Sequence, residues 1–435
     1  MSRYGAAAVV VFATSSPGLT QDGGGVNANL SLSQGIESSS DDGTFGSTNL
    51  GFTLSNVTPT QDLQLQISTG LEEQFSDGID TDVIDPRFNL SYGIQNRQSA
   101  LDISTRYRRA DVDSLTESDD PLSDILILDS GTRERAGISL GYMFGREARF
   151  GGMFNTSYDT VSYSGTTNSD LVDLERIGAD FTLRFEITPR IATTLGYDFN
   201  ETDRAGSASD VRNTQVRAGA DLTVSETLTA GLSVGFKTVK STGAAQDEDG
   251  ITYALNLRQD RPNGALTFNL NTDVSETGRQ TNMRVGTTFE TRNGSEFAGS
   301  VGLNRDEDGN TNPLYELSYS ESLRQSSYTV FLNQDITTSD LGQDTLNSRI
   351  GLTYNRELTP TTSLQSGVNY QTTDFLGLDK DTSRLNISLG VSRELTQDWS
   401  VTSRYTHTIQ DGDLRNRDTE NRLFLGLETN FGWRP

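Results

Sequence analysis

The sequence predicts an all-β chain: a transmembrane antiparallel up-and-down β-barrel of about 22 strands, with short turns at one rim and longer acidic loops at the other. Three observations predict it. Apolar and polar residues alternate through most of the chain, one two-strand phrase is repeated, and the connections between runs alternate in kind.

The alternation has a period of two, and side chains on a strand point to opposite faces with that period. Over 176–187 one face carries Ile177, Ala179, Phe181, Leu183, Phe185 and Ile187, and the other Arg176, Gly178, Asp180, Thr182, Arg184 and Glu186. Over 384–391 Leu385, Ile387, Leu389 and Val391 oppose Arg384, Asn386, Ser388 and Gly390. The last run, 422–433, does the same, with Phe424 the apolar exception on its polar side.

The repeated phrase is "RELTPTTSLQSGVNY" at 356–370, which returns as "RELTQDWSVTSRYTH" at 393–407, with looser copies at 54–68, 185–199 and 224–238. Each copy is a strand-like run, a polar break containing Thr or Pro, and a second run. Pro presets its own φ and cannot donate to a ladder, so the break is a tight turn and the phrase a hairpin. Hairpins repeated along a chain make a meander, here of 22 runs from 26–36 to 419–433.

The connections sort into two sets. Short ones fall at 58–61, 146–147, 188–189, 225–226, 260–263, 292–293, 358–361 and 396–397. The others are mostly longer and acidic, as in "ESSSDDG" (37–43), "SDGIDTDVID" (76–85), "DSLTESDDPLSD" (113–124), "AAQDEDG" (244–250) and "RDEDGN" (305–310). Short and long ends alternating around an antiparallel sheet are the construction of outer-membrane barrels, with short periplasmic turns and longer external loops.

Composition bounds the alternatives. Of 435 residues only 33% are hydrophobic and the net charge is −25, values that border on disorder. Yet there are 19 Phe and 14 Tyr, and a disordered chain keeps no period of two. Glycine is abundant at 42, proline scarce at 9 and cysteine absent, which removes disulfide frameworks and cysteine metal sites. No apolar run is long enough for a transmembrane helix. Residues 1–20, with Arg3 ahead of the apolar stretch Ala6–Ala13 and a region of small residues, read as a signal peptide, leaving 24–433 as the barrel. A β-sandwich would leave 22 meander strands with a vast uncovered sheet, and no strict solenoid repeat is present. In lipid the pattern is natural: the apolar face meets hydrocarbon, the polar face a wet lumen, and closure removes every edge.

The C-terminal "NRLFLGLETNFGWRP" resembles the last strand of bacterial outer-membrane proteins, whose terminal aromatic is read by the barrel-assembly machinery. Phe431 and Trp433 match that assembly signal, while Arg434 and Pro435 depart from an aromatic terminus. The chain as a whole resembles the outer-membrane β-barrel (porin-like) families of Gram-negative bacteria. The resemblance implies an outer-membrane location, contact with lipid and lipopolysaccharide, and small hydrophilic solutes as cargo. Trp399 and Trp433 fall where periplasmic interface aromatics belong. Monomer and homo-oligomer both fit.

Within the lumen one series stands out. "RAGISLGY" at Arg135 recurs in variants at Arg87, Arg176, Arg217, Arg284, Arg349, Arg384 and Arg422, each near the outer end of a down-going strand and each on the polar face. These eight residues form a candidate selectivity belt for anionic solutes. Asp102, Asp180, Asp198, Glu72 and Asp273 share their face, so the arginines serve equally well in cross-strand pairs that stiffen the wall. The glycine two residues after several of the arginines reads as room for the long side chain.

No catalytic residue, metal site, cofactor or nucleic-acid surface is expected. The one histidine, His407, falls on the outward face with Trp399, Val401 and Tyr405, and neutral-pH general-base chemistry favours a histidine in a cleft. "DEDGN" (306–310) and "DEDG" (247–250) faintly resemble a calcium loop but lack its full D-x-D-x-D-G and its distant Glu. Three roles remain: a porin-like channel for passive diffusion, an outer-membrane component of polysaccharide export, or a structural barrel with a closed lumen. A barrel of this strand number leaves an aqueous lumen unless plugged, which puts the channel first. A TonB-dependent receptor is disfavoured, because no plug-sized segment precedes the first strand.

Overall fold

The computed structural model describes residues 25–74, 80–112, 128–169, 171–206, 210–242, 247–291, 294–339, 343–378, 380–412 and 415–433. Their strands run β1 (Val26–Ser39), β2 (Gly43–Val57), β3 (Gln61–Gln74), β4 (Asp80–Gln95), β5 (Ser99–Asp111), β6 (Thr132–Phe144), β7 (Phe150–Ser164), β8 (Leu174–Thr188), β9 (Ile191–Arg204), β10 (Val211–Thr223) and β11 (Leu228–Ser241). They continue as β12 (Glu248–Arg261), β13 (Gly264–Ser275), β14 (Gly278–Glu290), β15 (Glu296–Arg305), β16 (Thr311–Ser322), β17 (Ser326–Thr338), β18 (Asp344–Thr359), β19 (Thr362–Phe375), β20 (Asp381–Glu394), β21 (Trp399–Gly412) and β22 (Arg415–Trp433). The expected signal segment 1–20, the loop stretch 113–127 and Arg434–Pro435 lie outside the described residues.

Each strand pairs antiparallel with its chain neighbour, and β1 pairs with β22 from Ala28↔Trp433 to Ser39↔Arg422, closing one 22-stranded ring. The outer face is the apolar row. Ile177, Phe181 and Phe185 on β8, and Leu232, Val234 and Phe236 on β11, are exposed there. Exposed apolar rows on most wall strands are stable only against hydrocarbon, and in hydrocarbon every backbone group must be paired within the ring. The lumen face carries serine, threonine, asparagine, glutamine and charge.

Aromatic rings gather on the outer face at the short-turn end. Phe150 packs against Phe185 (centroids 4.9 Å apart) and Phe144 (5.8 Å), and Phe289 against Phe297 (4.9 Å). Trp399 meets Phe431 edge-on at 6.5 Å, and Trp433 meets Phe52 at 6.2 Å.

Several strand ends run a few residues past the sequence reading, and β4 departs from it most. Pro86 reads as the start of a strand, but β4 begins at Asp80 and runs through it. The register slips between Ser68 and Gly70 on β3, and Asp85 takes a φ of +42°. A bulge re-aims the chain there and tolerates the missing proline N–H. The stretch from Asp80, expected as part of a loop, is therefore wall.

Candidate functional site: an arginine belt in the lumen

The eight belt arginines sit on β4, β6, β8, β10, β14, β18, β20 and β22, between two and seven residues in from each strand's outer end. The spacing follows from topology: every second strand runs downward, and the motif stands on eight of those eleven strands, β2, β12 and β16 lacking it. Alternate strands stand about 9.6 Å apart, and the arginines reach partners up to three strands away.

Most are held by carboxylates. Asp159 on β7 receives Arg106 at 2.6 Å and Arg135 at 3.7 Å, with the Asp159 and Arg135 side chains both about nine-tenths buried. Asp85, turned inward by the bulge, receives Arg87 and, at 2.9 Å, Nε of Arg108. Arg217 bridges two carboxylates that face each other in register, Asp180 at 3.2 Å and Asp198 at 3.0 Å. Arg284 reaches Asp335 at 2.6 Å. Arg422 lies against Glu420, with Glu37 and Asp42 each at 3.6 Å.

For the other three, neutral partners are among their contacts. Arg176 donates from Nε to the Thr202 hydroxyl at 3.3 Å. Arg384 is buried and donates to the Gln410 amide oxygen from Nη2 at 2.7 Å and Nε at 3.2 Å. Arg349 stands in register between Asn333 and Gln371.

Of the inward carboxylates read from the sequence, Asp180 and Asp198 do meet a belt arginine, and Asp273 instead meets Lys237 at 2.9 Å. Asp85, Asp159, Asp335, Glu37, Asp42 and Glu420 were not foreseen. Their parity was readable, but choosing among partners requires the register of adjacent strands.

The glycine expectation is corrected in detail. A Cβ on Gly137, two residues after Arg135, would lie 2.3 Å from Asp159 Oδ1, and one on Gly351 2.2 Å from the Phe331 ring. Those glycines make room for the neighbouring strand. Space for the arginines comes from glycines directly across the ladder: a Cβ on Gly196 would lie 2.7 Å from Arg217 Nε, and one on Gly302 2.7 Å from Arg284 Cγ. Phe424, the apolar exception, lies inward over Gly35 and Gly426 and is buried there.

Along β4–β11 the lumen wall borders a chamber of about 920 Å³ lined by Asp102, Asn155, Asp180, Asp198, Asn200 and Gln215 among others. At the outer mouth, Leu128 of the β5–β6 connection lies 3.4 Å from where a Cβ of Gly412 on β21 would stand, so this connection extends to the outer end of β21. Asp129 beside it accepts from the Thr167 hydroxyl and from the amides of Thr167 (3.0 Å), Asn168 (2.9 Å) and Ser130 (2.8 Å), fastening this connection to the one after β7. Burial works against its charged form, but these donors outweigh it and hold the Asp129 carboxyl below its usual range.

His407 stays on the outer face, where its Nδ1 and the Tyr405 hydroxyl share Asn421 Oδ1 at 2.8 Å each. Asp306, in one of the loops resembling a calcium site, closes its own turn on the Asn310 amide at 2.7 Å. Among the described residues no group of His, Cys, Asp or Glu is arranged to hold a metal.

A closed ring with a lipid-facing apolar wall and a polar, ion-paired lumen defines an outer-membrane β-barrel of the Gram-negative type, and the outer membrane is where this chain resides. No family model matches the chain, and no curated protein matches it. Solved structures match its fold. A variant of the ferric enterobactin receptor of Pseudomonas aeruginosa, in complex with enterobactin, is 11% identical with a TM-score of 0.56, covering 95% of this chain and 82% of that one. The siderophore receptor PirA of Acinetobacter baumannii is 11% identical (TM-score 0.54, 95% and 81%), and the FrpB iron transporter of Neisseria meningitidis 10% (0.57, 95% and 83%). At these identities the likeness is one of fold.

Proposed function

We propose that the protein is a porin-like channel for passive diffusion of small hydrophilic solutes, with no enzymatic activity. The observation that carries this reading is the polar chamber along β4–β11, walled by hydroxyls, amides and paired charges. A barrel filled to be structural would be expected to interlock apolar side chains there. The belt acts first as wall: among the described residues at least five of its eight arginines are neutralised by carboxylates at hydrogen-bond or ion-pair distance, so any anion preference is modest. Phe431 and Trp433 act as the assembly signal, and Trp399 with Trp433 as interface anchors.

The test is single-channel conductance and reversal potential in a planar bilayer under a KCl gradient. A steady conductance is expected, with a weak anion preference that falls further in Arg135→Gln, Arg176→Gln and Arg217→Gln variants. Silence from a folded, heat-modifiable barrel would sink the reading. A receptor for a bulky iron carrier is the second reading, favoured by the side-chain clamps across the outer mouth and by the receptor folds it resembles. It predicts that silence, together with saturable ligand binding.

A further inference from the structure

The outer end of the β13–β14 hairpin leaves the wall. β12 and β13 are in register from Tyr253↔Thr272 inward, and β14 meets β15 from Thr281↔Arg305 inward. Between those points Asp273↔Gln280 and Ser275↔Gly278 pair within the hairpin.

Its tip makes contacts in two directions. Toward one side Glu276 receives both terminal nitrogens of Arg204, at 3.0 and 3.2 Å, at the outer end of β9, and both side chains are about nine-tenths buried. Beneath that pair Val274 packs with Val211 and Val239, all but fully buried, and Asp273 receives Lys237. Gly250 supplies the space, since a Cβ there would stand 2.6 Å from Arg279 Nη2 and 3.2 Å from Val274 Cγ2. Toward the other side the Thr277 hydroxyl donates to Asp344 at 2.6 Å, and the Gln280 amide donates to the same carboxylate at the outer end of β18.

Adjacent strands stand about 4.8 Å apart, so β9 and β18, each four strands from the hairpin, lie about 19 Å away along the wall on either side. A hairpin upright in the wall reaches neither. One bent inward across the mouth reaches both, and Arg204, Glu276, Lys237, Thr338 and Ser339 accordingly border the chamber below it.

We propose that this hairpin is the constriction that sets the size limit for solutes, with Arg204, Glu276 and Asp344 as its specificity-determining residues. The proposal rests on the channel reading above. Two measurements test it. The chain has no cysteine, so a Val211→Cys, Val274→Cys barrel carries only those thiols. They join through a short bifunctional thiol reagent only if the hairpin lies across β10, and failure to cross-link in the folded barrel overturns the placement. A Glu276→Gln, Asp344→Asn barrel is then compared with the unaltered protein for conductance and for exclusion of neutral polymers. The expected result is a conductance gain of roughly twofold or more and a larger exclusion size. An unchanged exclusion size in a conducting barrel leaves the channel reading intact and removes the hairpin from it. Silence of both barrels removes the channel reading and the constriction together.

Discussion

The two sides of the lumen solve one problem with different chemistry. On β4–β11 the inward row is charged and paired: Arg87 and Arg108 on Asp85, Arg106 and Arg135 on Asp159, Arg217 across Asp180 and Asp198. On β14–β19 it is largely amides and hydroxyls. Asn304 donates to Gln280 and Asn282, Asn347 to Thr337 and Thr345, and Thr373 donates to Asn347. Both satisfy the polar inner face that a wet lumen requires. They differ in what a lost member leaves behind, a stranded ion in one case and an unpaired dipole in the other.

The difference is sharpest at Asp159. Asp159→Ala leaves two arginines without their carboxylate, one of them largely buried, and should lower barrel stability by about 1–3 kcal/mol, read from urea unfolding in detergent micelles. A loss no larger than that of the amide side would erase the contrast. The amide counterpart, Asn347→Ala, removes three neutral hydrogen bonds and strands no charge, and about 1 kcal/mol is expected in the same assay.

A smaller, pH-dependent effect is expected at Asp129. Its carboxyl is depressed below the ordinary value, so its contribution is fully present above about pH 4 and is lost as pH falls through the lower folded value. The exchange protection of the Thr167 and Asn168 amides, relative to their intrinsic rates, should fall below about pH 4 in the unaltered protein, and Asp129→Asn should abolish that step. The smallest effect belongs to Arg404 and Glu428, 3.9 Å apart with Arg404 half exposed. Glu428→Gln should cost under about 1 kcal/mol, and the cost should vanish in high salt. A larger value would mean that the wall at β21–β22 is drier than the geometry implies.

The fold was legible because a period of two is a local signal, repeated in 22 strands until only closure could satisfy it. The arginine series was legible for the same reason: Arg135, Arg176 and Arg217 each open a copy of one phrase. Their partners were not, because a pair such as Arg217 with Asp180 crosses from β10 to β8 and depends on register. Asp85 depended on a bulge whose proline looked like a strand start. The bent hairpin left no local trace at all. Glu276 and Arg204 are 72 residues apart, and nothing in either neighbourhood says that they meet.

The β1–β22 seam has a consequence for how the molecule comes to exist. Every other ladder joins strands adjacent in the chain, whereas Ser39↔Arg422 joins residues at its two extremes. Local hairpins zip early and at low entropic cost, but this last ladder closes a loop of the whole wall and must wait for its final stave. Until then the sheet has two bare edges able to pair with any strand, including those of another copy. Gly35 and Gly426, face to face in the seam with the Phe424 ring over them, let the two edges approach closely when they meet. Closing the seam is therefore expected to be the slowest and most aggregation-prone step of folding, and the aromatic residues Phe431 and Trp433 lie on the strand that completes it.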